Sequence, residues 1–211
     1  PTMSEFERRV SEVVVGMGDG DRCHGRPLPP DAPWSNPPRS GSWQAGPVQL
    51  RAEHSFPVPP PSVMAAMVDP AFAEGLHALP DVGQVSVVDA GAHGDTRFLA
   101  VRMTYDGSLD PIAARVLGTG SPSWIQTYRL DHGAGRGHLS ITPEHHESIL
   151  RCHAELRFAA LDGGTRRTLH GDLSVRVPLL GGKAEKALAP AIVSRIDVEA
   201  QLLTDWLSRS G

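Results

Sequence analysis

Cysteine is nearly absent: Cys23 and Cys152 are the only two in 211 residues, and they make neither a ligand cluster nor a disulfide framework. Long apolar runs are missing as well. No stretch approaches the ~18 residues that span a bilayer, and the start carries Glu5, Glu7, Arg8 and Arg9 where a signal peptide would have an apolar core. There is no excess of positive charge either. Twenty Lys plus Arg against 24 Asp plus Glu give a formal net charge of −4 and a pI near 6.2, so nothing electrostatic points to nucleic acid or an anionic membrane as the main partner. Lysine itself is scarce, 2 against 18 Arg, which reads as codon usage rather than guanidinium chemistry. No internal repeat occurs, no serine or cysteine sits in a nucleophile-elbow context, and the glycine spacings match neither nucleotide-binding fingerprint. The expectation is a cytoplasmic protein without cofactor and without integral membrane association.

What is present suffices for a core. The chain is 40% hydrophobic and 21% charged, which argues against a wholly disordered polymer. Composition shifts near residue 47: the first 47 residues hold 6 Gly and 8 Pro, and Arg26 to Pro47 alone hold seven prolines with no apolar period. Such a stretch sustains neither helix nor sheet ladder and reads as an arm. Residues 4–15 predict one short helix, capped by Ser4 with Glu7 three positions on. Trp34 and Trp43 either pack loosely on the domain or anchor the arm in a groove or on a second copy, which would make a homodimer through the arm.

Residues 48–211 alternate in period. Val48, Leu50, Ala52, His54 and Phe56 share one strand face. Prolines 57, 59, 60 and 61 end that strand, and two short helices follow over 62–68 and 71–79, broken by Asp69-Pro70. Segments 82–89 and 95–105 predict a hairpin around Ala90 to Gly94, with Leu99, Val101, Met103 and Tyr105 on one face. Residues 110–117 predict a helical turn, and 124–130 and 137–142 two more strands. In 149–158, Leu150, Cys152, Ala154, Leu156 and Phe158 alternate with Arg151, His153, Glu155 and Arg157. In 165–177, Leu169, Gly171, Leu173, Val175 and Val177 face inward and Arg166, Thr168, His170, Asp172, Ser174 and Arg176 outward. One wet face of this kind belongs to antiparallel sheets. Residues 183–208 predict a long helix with Ala184, Leu188, Ala191, Ile192, Val198, Leu202, Leu203 and Trp206 on its apolar stripe, and either a kink at Pro190 or a start at 189.

A lone amphipathic helix and a one-sided sheet must bury each other. The expected fold is α+β, a curved antiparallel sheet of six to seven strands wrapped round the C-terminal helix. A bent sheet cannot touch one helix across its full width, so an apolar cavity is expected between them. This layout resembles the helix-grip fold of the START-like (SRPBCC) superfamily, which includes polyketide cyclases, aromatases and lipid-transfer domains. More narrowly, residues 48–207 resemble an uncharacterised bacterial domain-of-unknown-function family within it. The residues that carry the likeness are Glu53 to Pro57, Asp69-Pro70, Pro111 to Gly118 with Trp124 to Thr127, and above all Val177 to Lys186 leading to Trp206-Leu207. The resemblance implies a fold and a cavity, and brings no catalytic residue with it.

Candidates for contact with a ligand follow from parity. Arg195 falls in the middle of the helix stripe and Glu199 on its edge one turn later. They either read the polar end of a greasy ligand or bond each other across the helix. His54 shares the inner face of the first strand, as a base, a contact or a bonded core histidine. Trp124, Gln126 and Tyr128 share a face and line the cavity or pack within it. Met103, Leu156, Leu173 and Ile192 complete the expected apolar lining. Adjacent His145 and His146 point apart and His153 belongs to a wet face, so no metal site is expected. Cys152 reads as an inert small hydrophobe, and Glu185 as a complement to the helix dipole. Three functions compete: a binding module for a small hydrophobic or amphipathic molecule, a cyclase-, aromatase- or hydrolase-like enzyme using the same cavity, and an interaction protein whose cavity is filled by its own side chains.

Overall fold

The structure, a computed structural model, describes residues 47–108, 111, 114, 121–145 and 149–210. The arm, its helix at 4–15 and the homodimer expected through it lie outside the described residues, as does most of the turn expected over 110–117.

Strand β1 (Val48–Phe56) is followed by helix α1 (Pro60–Met67), helix α2 (Pro70–Glu74) and a 3-10 turn (Gly75–Ala78). Prolines at the first positions of both helices have no N–H to leave unpaired, and the Asp69 carboxylate accepts from the Ala71 N–H at 2.9 Å to cap α2. Six strands follow: β2 (Val82–His93), β3 (Thr96–Tyr105), β4 (Ser123–Asp131), β5 (Arg136–Pro143), β6 (Leu150–Leu161) and β7 (Gly164–Val175). Helix α3 (Gly181–Ser210) ends the described chain. The sheet is antiparallel and seven-stranded in the order β1-β7-β6-β5-β4-β3-β2. Its inner face and α3 enclose one core, in which Leu50, Leu99, Met103, Leu130, Leu139, Leu156, Leu169, Leu173 and Ile196 are fully buried.

The alternation on β6 holds residue by residue from Leu150 to Phe158. Three expectations change. The hairpin loop expected at Ala90 to Gly94 is mostly strand: β2 runs on to His93, which faces Thr96 across a two-residue turn with Gly94 at φ +56°. The helix does not begin at 189; Pro190 lies inside a continuous 30-residue helix of about 45 Å. Its buried stripe is also rotated from the expected one, since Ala191 is exposed whereas Ala189, Ile196, Ala200 and Leu207 are buried.

At the strand-to-helix junction glycine is needed for space and not for backbone freedom. Neither Gly181 nor Gly182 has a positive φ; that conformation falls on Leu179, at +65° and fully in solvent. Gly181 is required by proximity, because a Cβ there would stand 2.2 Å from the Val175 carbonyl oxygen. Glu185 is buried, and its Oε1 accepts from the Val175 N–H at 2.8 Å, so it pins the first turn of α3 to the end of β7 rather than only facing the dipole. Glu185→Ala leaves that buried N–H without an acceptor. It should cost about 1–3 kcal/mol, read as a lower urea midpoint at unchanged m-value.

Candidate functional site

The inner faces of β3 and β4 bring Met103, Trp124, Gln126 and Tyr128 opposite Arg195 and Glu199 of α3. Met103, Gln126, Tyr128 and Glu199 are all buried, and Arg195 and Trp124 are half-buried. The two helix residues do not bond each other. Gln126 stands between them: Arg195 Nη1 donates to Gln126 Oε1 at 2.8 Å, and Gln126 Nε2 donates to Glu199 Oε2 at 2.9 Å. The other Glu199 oxygen accepts from the Tyr128 hydroxyl at 2.7 Å. The Arg195 guanidinium lies 5.0 Å from the Trp124 ring centre, and Nη1 also approaches Met103 Sδ at 3.7 Å. Both Glu199 oxygens are thus engaged, whereas Arg195 uses one of its nitrogens. The Trp124 indole N–H is buried with no partner. Burial, and next the Glu199 charge, push the Tyr128 hydroxyl well above its usual pKa, against the opposing pull of Arg167 and Arg195.

His54 lies apart from that relay. Its Nε2 is 2.8 Å from Asp197 Oδ1 on α3, and its Nδ1 is 3.1 Å from Arg167 Nη2 on β7. A guanidinium can only donate, so Nδ1 accepts and the proton sits on Nε2, donating to Asp197. The imidazole is neutral in this arrangement. Burial lowers its pKa from 6.5, with the Arg167 charge acting the same way and Asp197 and Glu199 opposing. Burial likewise lowers His153 and His132. A folded pKa below the unfolded value means that the unfolded chain takes up the proton first. The stabilisation is whole above about pH 6.5 and is lost as pH falls below it. Wild type should therefore lose more stability than His54→Gln between about pH 7.5 and 5.5 in urea melts. A gap between the two proteins that does not change with pH would contradict this assignment.

Arg167 is absent from the residues that parity nominates. The strict alternation of β7 could have found it, since residues 165 and 167 continue the inward parity of Leu169. It is only 1% exposed, lies 5.3 Å from the Phe56 ring centre and reaches Met67 Sδ at 3.6 Å. Leu156 and Leu173, expected to line a cavity, are packed core residues of β6 and β7, and Ile192 is half-buried on α3. Cys152 is buried, which pushes its thiol pKa up to about 12 and leaves it unreactive.

An open groove of about 780 Å³ lies between α1, α2, the β2–β3 hairpin and the last turns of α3. Small residues (Ala65, Ala66, Ala90, Ala92) form its walls, with Phe98, Trp206 and Leu207 beside them and Arg97 among its polar residues. None of the ten residues expected to contact a ligand lines this groove. Among the described residues no helix is long and apolar enough to cross a membrane.

Comparison with solved structures places this architecture. The protein TTHA0849 from Thermus thermophilus is 17% identical with a TM-score of 0.57, over 78% of this chain and 99% of that one. The Zhui aromatase/cyclase from Streptomyces sp. R1128 is 17% identical with a TM-score of 0.53, over 77% of this chain and 94% of that one. Protein Ms6760 from Mycobacterium smegmatis is 15% identical with a TM-score of 0.50, over 77% and 92%. No curated protein matches. At these identities the likeness is one of fold, and the fold is a helix grip. Residues 51–207 match the family described as "Protein of unknown function (DUF2505)", and the chain belongs to that family.

Proposed function

We propose that this chain binds a small hydrophobic or amphipathic molecule between its sheet and α3, with the groove beside α1 and the β2–β3 hairpin as the way in. The observation that carries this reading is the buried relay from Arg195 through Gln126 and Glu199 to Tyr128. A well-packed apolar cluster of similar volume is often as stable or more so, so the relay supports a role in recognising a polar group. Arg195, with donors to spare, can meet a polar group along the ligand, while Met103 and Trp124 offer apolar contact. The test is native mass spectrometry of freshly purified protein. A co-purifying small molecule that is lost on mild denaturation supports the reading; a bare protein that also binds nothing from a panel of apolar acids, alcohols and aromatic compounds counts against it.

One observation favours a second reading, acid–base chemistry on an apolar substrate. Tyr128 and Glu199 form a titratable pair within hydrogen-bond reach, the minimum that a cyclase-, aromatase- or hydrolase-like step requires. Turnover of a bound compound that Glu199→Gln abolishes without releasing the compound would select this reading over simple binding.

A further inference from the structure

We propose that the bound molecule is a monoanion with a carboxylate head, and that Arg167 is the residue that receives it; this rests on the ligand-binding reading above. Arg167 is a fully buried cation without a counter-ion. Among the described residues it forms no ion pair with a carboxylate, and its polar contacts are a neutral histidine nitrogen at 3.1 Å and a thioether sulfur at 3.6 Å. Its Nε–H is buried and has no acceptor. A charged group left this way is costly unless something neutralises it.

The charges around it are also unbalanced. Arg167 and Arg195 bring two positive charges to the inner side of the sheet. Glu199 brings one negative charge, already accepting from Gln126 and Tyr128. Glu185, the other buried carboxylate, is committed to the Val175 N–H at the start of α3, and Asp197 is 56% exposed to water. One positive charge is left over. On the inner face the buried polar atoms without partners, Trp124 Nε1 and Arg167 Nε, are both donors. The interior lacks an acceptor carrying one negative charge. A carboxylate supplies it, and its two oxygens match the fork of a guanidinium.

The test compares decanoate with decan-1-ol, which share a tail and differ in the head. Binding is followed by calorimetry for wild type, Arg167→Met, Arg167→Lys and Arg102→Met, the last an exposed residue paired with Glu144. Wild type and Arg102→Met should prefer decanoate by about tenfold or more. Arg167→Met should lose that preference while binding decan-1-ol as wild type does. It should also keep or raise the melting temperature, because it removes an uncompensated buried charge. Arg167→Lys keeps the charge without the fork and should fall between. Equal binding of the two probes by wild type overturns the monoanion and leaves the ligand-binding reading standing. A preference that survives in Arg167→Met overturns Arg167 as its anchor. Failure of both variants to fold gives Arg167 a structural role and overturns the proposal. No binding of either probe by wild type overturns the proposal and weakens the reading beneath it.

Discussion

Leu156→Arg should unfold this domain at room temperature, or bring it close to unfolding. Leu156 is 1% exposed and sits in the middle of the sheet, opposite Gly137 on β5 and Leu169 on β7. A guanidinium there is pushed into a leucine-rich core whose buried carboxylates, Glu185 and Glu199, already have hydrogen-bond partners. The loss of apolar burial adds to the desolvation of the charge, and a cost above about 4 kcal/mol is expected. That is a large share of the about 5–15 kcal/mol by which an ordinary domain is stable. Neighbouring Arg157, on the wet face of the same strand, should tolerate Ala within about 0.5 kcal/mol. Circular dichroism and a urea melt check both. An unchanged midpoint for Leu156→Arg would mean that β6 does not present this face to the core.

The second large effect is expected at Glu199. Its carboxylate holds the relay together: without it, Gln126 Nε2 and the Tyr128 hydroxyl lose their acceptor inside the core, and Arg195 loses the buried negative charge it faces through Gln126. Glu199→Ala should cost about 3–5 kcal/mol, the range for breaking a buried charged network by removing one partner. Glu199→Gln keeps one acceptor and should cost less, about 1–3 kcal/mol. Replacing the network as a set (Glu199→Leu with Gln126→Leu, Tyr128→Phe and Arg195→Met) should recover much of the loss, since nothing polar is then left unpaired. Melting temperatures of the three proteins measure this. A quadruple variant no more stable than Glu199→Ala would show that the relay is structural rather than kept for recognition.

Much of the fold is legible in the sequence because strand periodicity is local. Leu150 to Phe158 alternate without a break, and the inner faces of β1 and β4 follow from the same count. Prolines at 59 to 61 and 70, with Asp69 between, announce two helix starts. The errors have physical causes. Ala90-Gly91-Ala92 reads as loop because it offers nothing to bury, yet β2 pairs with β3 as far as His93. Its far end forms one wall of the groove, where small side chains leave room. The helix stripe is misplaced when it is counted through Ala191 rather than Ile196; over 30 residues a small error in phase moves a side chain from core to water. Arg167 escapes when the inward face of β7 is counted only from Leu169, two places beyond it.

The candidate site divides along the same line. The sequence alone determined that Trp124, Gln126 and Tyr128 share a face of one strand and that Arg195 and Glu199 share a face of one helix, because side-chain direction follows from backbone period. Only the tertiary structure decided who partners whom. Gln126 enters between Arg195 and Glu199, and it is 69 positions distant in the chain from Arg195. Arg167 meets His54 from 113 positions away. Hydrogen bonds of that kind depend on how strands order in the sheet and where the helix crosses them, which no local pattern encodes. The sheet that grips the helix was therefore written in the alternation of residues, while the charge left uncompensated beneath it arises only when distant segments close on one another.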